Sequence, residues 1–100
     1  MLVHIVMFTF RDEVDGKPKS VVCREIKEML DALPSKIPCI KRFDVGINAV
    51  PSDASDDLVL VSEFESLEDL QSYAAHPEHV RVADVIGKAR LTRNAVDYFV

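Results

Sequence analysis

The sequence predicts one α+β domain in which four strands form an antiparallel sheet and two helices cover one face of that sheet. The chain has 100 residues, so residues 1–100 are expected to form a single domain. Apolar residues make up 48% of the chain and charged residues 29%, which is the balance of a folded globular protein. The periodicity of the apolar residues predicts strands and helices in the order β-α-β-β-α-β, and this order suits the split βαβ arrangement.

The first strand and the first helix lie in the N-terminal third of the chain. Residues 2–10 are dense in β-branched and aromatic side chains, which predicts a strand. Residues 11–16 form a polar connection. A helix follows from about Pro18 to Leu33, because proline is tolerated at the first helical position and Pro34 ends the helix. Its apolar face consists of Val22, Ile26, Met29, Leu30 and Leu33.

The other three strands are predicted from alternation and from turn signals. Residues 40–48 alternate between apolar and polar side chains, which indicates a half-buried strand. Residues 49–57 form a turn-rich loop, and residues 58–65 form the third strand. Residues 91–100 close the chain as the last strand.

The second helix is predicted to be broken. Ser66 and Asp69 form an imperfect capping box, which starts a short helix before the break. Pro77 then opens a second helical segment, so the break falls at His76-Pro77.

The first predicted strand is apolar on both faces. One row consists of Val3, Ile5 and Met7. The other row consists of Leu2, His4, Val6, Phe8 and Phe10. The two helices cover only one of these faces, so a second copy of the chain is expected to cover the other by packing sheet on sheet. The sequence therefore predicts a homodimer.

Charge and composition exclude several classes of partner. Seventeen acidic residues against twelve basic ones give a net charge of -5, and the basic residues form no cluster, so nucleic acid is not an expected partner. No apolar run is long enough to span a membrane, and the N-terminus lacks the pattern of a signal peptide, which predicts a cytoplasmic protein. Cys23 and Cys39 do not form a metal-ligand pair and are expected to be reduced thiols.

Three histidines and one tyrosine are the candidates for chemistry. His4 lies in the same strand row as Val6, while Tyr73 and His79 lie on the helices that should pack over the sheet. A neutral imidazole can remove a proton made acidic by an adjacent carbonyl, and a phenol can donate a hydrogen bond to the resulting enolate oxygen. Structural interpretations remain open: His4 as a hydrogen-bonded core residue, Tyr73 as a cap on the core, and His76 as a partner for a backbone group at the helix break.

A metal site is not predicted. His76 and His79 stand three residues apart, but the break at Pro77 disrupts their shared helical face. Zinc would also need further ligands from His4 or a carboxylate, and no feature selects haem. We therefore expect neither a metal nor a cofactor.

Several segments taken together resemble the stress-responsive dimeric α/β-barrel (Dabb) family over nearly the whole chain. They are residues 3–6, 8–13, 37–41, 64–70 and 73–80, the last of which reads Tyr-Ala-Ala-His-Pro-Glu-His-Val. The resemblance implies a ferredoxin-like βαββαβ protomer whose sheet pairs with that of a second protomer to form a dimeric barrel.

The resemblance also implies roles for individual residues. In olivetolic acid cyclase, a member of this family, a histidine matching His79 is the base, a tyrosine matching Tyr73 binds and orients the substrate, and a histidine matching His4 lies in the same pocket. Two other pocket residues of that enzyme are replaced here, a histidine by Asp57 and a tyrosine by Ile26. The resemblance therefore implies a similar pocket for a different ligand. Its predicted lining is His4, Ile26, Tyr73, His76 and His79.

Three functions remain open at this stage. The first is a homodimer that binds a small organic molecule. The second is a cyclase, isomerase or lyase that acts on a carbonyl-bearing, polyketide-like substrate with His79 as base. The third is a structural or stress-protective protein without a ligand.

Overall fold

The computed structural model describes residues 1–100 and contains three helices and six strands, two of which are only two residues long. In chain order the elements are β1 (Leu2–Phe10), β2 (Glu13–Val14), β3 (Lys17–Pro18), α1 (Lys19–Asp31), β4 (Arg42–Ile47), β5 (Leu58–Phe64), α2 (Leu67–Ala75), α3 (Pro77–Ala89) and β6 (Arg90–Phe99).

The four long strands form the predicted antiparallel sheet in the order β4-β5-β1-β6. The chain crosses from β1 to β4 through α1, and from β5 to β6 through α2 and α3. Buried residues of α1, α2 and α3 share one hydrophobic cluster with a single row of β1, so the helices lie on one face of the sheet. The predicted ferredoxin-like α+β fold is confirmed.

The core lies between this helical layer and the row of β1 that contains His4. Val6, Phe8 and Phe10 from this row belong to one buried cluster with Ile26 of α1. Burying a large apolar side chain stabilises a fold by about 1.5–3 kcal/mol. The row of β1 that carries the two phenylalanines is the one that meets the helices.

The break in the second helix lies at His76, as predicted. The His76 backbone is extended (φ -63°, ψ 134°), and Pro77 occupies the first turn of α3. The Glu78 backbone N–H donates a hydrogen bond to Nδ1 of His76 at 3.1 Å. In the same way, the Asp69 N–H donates to Oγ of Ser66 at 3.1 Å where α2 begins. Each side chain thus satisfies one of the unpaired N–H groups at a helix N-terminus.

Residues 13–18 differ from the prediction of a plain polar connection. Strands β2 and β3 pair there as a small antiparallel hairpin. Asp15 and Gly16 at its tip have positive φ angles of 51° and 79°. A two-residue loop of this kind favours the sequence Asp-Gly, because glycine adopts positive φ without a steric penalty.

The helix α1 and the strand β6 also differ slightly from their predicted bounds. The helix ends at Asp31, because the chain turns at Leu33, whose N–H bonds to the Leu30 carbonyl at 3.0 Å. Strand β6 begins at Arg90, and its pairing with β1 shifts by one residue between Thr9 and Phe10.

The face of the sheet that points away from the helices is apolar at its centre, and we call it the open face. Its central side chains are Ile5, Met7, Val59, Val61, Val96 and Tyr98. Val96 is 60% exposed and Tyr98 44% exposed. None of the three helices is long and apolar enough to cross a membrane.

Candidate functional site

A cavity of about 180 Å³ lies between the helical layer and the sheet. Its apolar wall is formed by Val6, Phe8, Leu30, Leu60, Val82, Ala83, Ile86 and Gly87. Five polar side chains also line it: His4, Tyr73, His79, Arg90 and Arg93. The residues from α3 recur at spacings of three and four, so one face of this helix supplies much of the wall.

His79 lies in the first turn of α3 and is half-buried. Its Nδ1 is 2.9 Å from the Ala74 carbonyl oxygen. A carbonyl only accepts hydrogen bonds, so Nδ1 carries the proton and Nε2 of the neutral ring keeps its lone pair. Burial lowers the pKa of His79 below its usual 6.5, and the nearby charges of His4, Arg93 and His76 lower this pKa further. The ring is therefore neutral at pH 7, which is the state that a base requires.

Tyr73 lies on α2 and is only 2% exposed. Its ring lies beside that of His79, with the centroids 4.4 Å apart, and packs against Phe43 and Phe64 on its other sides. Burial raises the pKa of the Tyr73 phenol well above its usual 10.0, so the hydroxyl keeps its proton. The hydroxyl makes no hydrogen bond within the chain, so it is free to donate one to a ligand.

His4 is 9% exposed and lies opposite Asp97 of β6 in the sheet register. Its Nδ1 hydrogen-bonds to the Asp97 carboxylate. Since a carboxylate accepts, Nδ1 of His4 carries a proton and donates it to Asp97. The sequence analysis did not identify Asp97. Only the pairing of β1 with β6 reveals that this carboxylate faces His4.

Arg90 and Arg93 were also missed. Both lie on β6 and both line the cavity. Arg93 lies four residues before Asp97, so the alternation of side chains along a strand places both on the same face of the sheet. Arg90 carries no such signal, because three residues separate it from Arg93 and regular alternation would place the two on opposite faces.

The structure brings His4, Tyr73 and His79 together in one cavity, but it places two other predicted lining residues elsewhere. Ile26 is 1% exposed and lies in the core, outside the cavity lining. His76 caps α3 through its Nδ1 and is likewise outside the lining.

Asp57, which aligns with a cyclase pocket residue, also lies outside the cavity lining. Its Oδ2 accepts a hydrogen bond from the Phe10 N–H at 2.8 Å and lies 3.3 Å from Nζ of Lys19. This carboxylate ties the start of β5 to the end of β1 and to α1.

The histidines are committed to contacts within the chain. Nδ1 of His76 accepts from a backbone N–H, and Nδ1 of His79 donates to a backbone carbonyl. No three His, Cys, Asp or Glu side chains are grouped in a way that could hold a metal ion.

Known proteins match this chain over most of its length, and a solved structure among them shares its fold. The sequence profile described as Stress responsive A/B Barrel Domain (Dabb) matches residues 2–100. A stress-response A/B barrel domain-containing protein of Arabidopsis thaliana is 35% identical over 82 residues, which cover 82% of this chain and 30% of that protein. A second protein of the same description from this plant is 36% identical over 99 residues, covering 95% of this chain and 45% of that protein. The chain thus spans less than half the length of these two curated relatives.

A solved structure from Bacteroides fragilis shares both the sequence pattern and the fold. It is described as a dimeric protein of unknown function with a ferredoxin-like fold. Its TM-score to this chain is 0.88, with 39% sequence identity over 99% of this chain and 95% of that one. The match of the profile to nearly every residue, together with the fold, shows that this chain belongs to the stress-responsive A/B barrel domain (Dabb) family.

Proposed function

We propose that this chain forms a homodimer in which the cavity of each protomer binds a small organic molecule. The observation that carries the proposal is that polar groups without a hydrogen-bond partner line a largely apolar cavity. The Tyr73 hydroxyl and Nε2 of His79 both lack a partner in the chain, and both residues line the cavity. Ligand sites have this composition, in which an apolar wall holds the body of the molecule and a few polar groups fix its orientation.

The volume of the cavity limits the size of the ligand. A cavity of about 150 Å³ holds one benzene molecule, and this cavity measures about 180 Å³. The proposed ligand is therefore a molecule with a single ring or a short chain, smaller than a typical drug.

Gly87 offers a direct test of cavity binding. It lies on the cavity face of α3, and a Cβ atom built there meets no atom within 4 Å. The variant Gly87→Leu is expected to fill part of the cavity, and Gly87→Ala, whose added methyl group meets no atom, is the matched control. Benzamide and benzoate serve as probes, and binding is followed by NMR through the imidazole signals of His79.

We expect at least one probe to shift the His79 signals in the wild type and in Gly87→Ala, and neither to do so in Gly87→Leu. Equal binding to Gly87→Leu would show that the probe lies outside the cavity and would contradict the proposal. If no probe binds the wild type, the third function, a structural protein without a ligand, becomes the better explanation.

The homodimer is supported by the open face and by a relative. Sheets that are apolar on both faces need cover on both faces, and the helices supply only one. The 39% identical protein of Bacteroides fragilis is described as dimeric. We propose that two copies of this chain pair through their open faces about a two-fold axis, as sheets pack in a sandwich.

A cytoplasmic location is part of the proposal. Cys23 and Cys39 are free in the structure. Burial raises the pKa of the Cys23 thiol, so this sulfur reacts slowly with oxidants. Two free thiols suit a reducing compartment. Thiol counting on protein purified without a reductant is expected to find both.

One observation favours a second function, proton abstraction from a carbonyl-bearing substrate. The hydrogen bond from Nδ1 of His79 to the Ala74 carbonyl leaves Nε2 as the basic atom, next to the Tyr73 ring. In the proposed step, Nε2 of His79 takes a proton from the carbon beside the carbonyl. The electron pair of that C–H bond forms the enolate, and the Tyr73 hydroxyl donates a hydrogen bond to its oxygen. Return of the proton to another atom gives isomerase chemistry, and attack on a second carbonyl gives cyclase chemistry.

Deuterium exchange at the methyl group of acetophenone tests this step without knowledge of the natural substrate. We expect wild-type protein in D₂O to accelerate the exchange, and His79→Ala to lose about a hundredfold or more of that acceleration. His76→Asn is the control, because His76 lies outside the cavity lining and asparagine can keep the cap of α3 that His76 provides. Exchange at the wild-type rate in His79→Ala would show that His79 is not the base.

A further inference from the structure

We infer that the ligand of this cavity is a carboxylic acid whose carboxylate is bound by Arg90 and Arg93. This inference rests on the proposed function, since it specifies the chemical class of the molecule that the cavity binds. It is carried by an irregularity in the sheet, by the absence of ion-pair partners for both arginines, and by the volume of the cavity.

The irregularity is a β-bulge at Leu91. Phe8 lies opposite Arg93, and Phe10 lies opposite Arg90, whereas one residue of β1 and two of β6 separate these pairs. Leu91 is the extra residue and is 63% exposed. Because side chains alternate along a strand, residues three apart normally point to opposite faces. The bulge brings both arginines to the helical side, where they line the same cavity, and bulges beside functional sites commonly redirect side chains in this way.

The two guanidinium groups have no ion-pair partner in the chain. Arg42 and Arg81 pair with nearby carboxylates, but no carboxylate lies within 4.0 Å of Arg90 or Arg93. Asp97 lies on the same face of β6 as Arg93, but its carboxylate is hydrogen-bonded to His4. Two arginines without an ion-pair partner therefore line the cavity, Arg90 half-buried and Arg93 exposed at its mouth to an incoming ligand.

The chemistry of arginine specifies the group that these charges bind. A guanidinium presents parallel N–H donors whose geometry matches a planar carboxylate, and phosphate shares part of this chemistry. The small cavity favours the carboxylate, which is the less bulky of the two groups. The carboxylate would lie at Arg90 and Arg93, and the rest of the molecule would extend along Phe8 and α3 toward His79 and Tyr73.

The test compares three probes that share one ring: benzoate, benzamide and phenyl phosphate. Benzamide keeps the planar shape of benzoate without its charge. Affinities are measured by calorimetry on the wild type and on Arg90→Gln, Arg93→Gln and Arg24→Gln. Arg24 is the matched control, because it lies on α1, outside this cavity, and has no ion-pair partner. Circular dichroism checks that each variant is folded, and Arg93→Lys keeps the charge but removes the parallel donors.

We expect benzoate to bind the wild type about tenfold or more tightly than benzamide, which is the factor expected for a charge-assisted hydrogen bond. Arg90→Gln and Arg93→Gln should each weaken benzoate binding by about this factor. They should weaken benzamide binding by a much smaller factor, because the amide has no charge to pair, and Arg24→Gln should alter neither.

Equal affinities for benzoate and benzamide would overturn the inference and leave the proposed function standing. Benzoate binding that survives both arginine substitutions would do the same. Tighter binding of phenyl phosphate than of benzoate would overturn the choice of a carboxylate. If the wild type binds none of the three probes, this inference and the proposed function fail together.

Discussion

The state of one imidazole, that of His79, decides whether the proposed proton abstraction can occur. Its hydrogen bond to the Ala74 carbonyl fixes the proton on Nδ1, and its burial keeps the ring neutral near pH 7. The sequence was sufficient to select His79, Tyr73 and His4, because their residue types and their positions on predicted elements point to one pocket. It was not sufficient to find Asp97, Arg90 and Arg93, because their positions depend on the pairing register of β6 and on its bulge.

At the residue scale, the pKa of His79 makes a prediction about stability and pH. The folded chain holds this pKa below the value of 6.5 that applies in the unfolded chain. The groups that lower it, after burial, are His4 on β1, Arg93 on β6 and His76 before α3, while the hydrogen bond to Ala74 opposes them. As the pH falls below 6.5, the unfolded chain binds a proton that the folded chain does not, so the free energy of unfolding decreases.

We therefore expect the stability of the wild type to fall between about pH 7 and pH 5 by more than that of His79→Gln, as measured by urea unfolding. The neutral glutamine removes the titrating group and keeps a donor for the Ala74 carbonyl. An NMR titration of the wild type should place the pKa of His79 below 6.5. An identical pH dependence in both proteins would contradict this account.

At the scale of elements, the sequence predicts helices and strands well wherever periodicity and capping signals coincide. The break at His76-Pro77 was predicted correctly because proline and a side-chain acceptor meet at one position. The hairpin at Asp15-Gly16 was missed although its turn sequence is favourable, because its strands are only two residues long and show no alternation. The bulge at Leu91 could not be predicted, since a bulge is defined by two paired strands and not by one.

The cap of α2 gives a prediction at this scale. Oγ of Ser66 accepts a hydrogen bond from the Asp69 N–H, and the helix that it starts carries Tyr73 into the cavity. Ser66→Ala should lower the free energy of unfolding by about 0.5–2 kcal/mol. Ser72→Ala is the control, because Ser72 is an exposed residue of the same helix, where alanine has the higher helix propensity. Urea unfolding measures both. A loss of stability in Ser72→Ala as large as that in Ser66→Ala would show that the cap is not the cause.

At the scale of the whole molecule, the fold follows from the alternation of its strands, and the same alternation leads to the proposed assembly. One row of β1 forms the core with the helices, and the other row lies at the centre of the open face. A chain of about 100 residues buries a limited fraction of its surface. Pairing through the open face would therefore stabilise the protomer itself, and each cavity, on the opposite side of the sheet, would remain accessible.

Val96 allows this assembly to be tested by a single matched pair of variants. It is 60% exposed at the centre of the open face, opposite Ile5 of β1, whereas Val80 is 44% exposed on the helix α3. Val96→Lys would place a charge in the proposed interface, where desolvation of an unpaired ammonium group is costly. Val80→Lys makes the same chemical change on the helical side. Native mass spectrometry and sedimentation should find two chains for the wild type and Val80→Lys, and one chain for Val96→Lys. Because the cavity lies on the other face of the sheet, a monomeric Val96→Lys that still binds its probe would show that ligand binding does not depend on the dimer. A dimeric Val96→Lys would show that the interface lies elsewhere on the molecule.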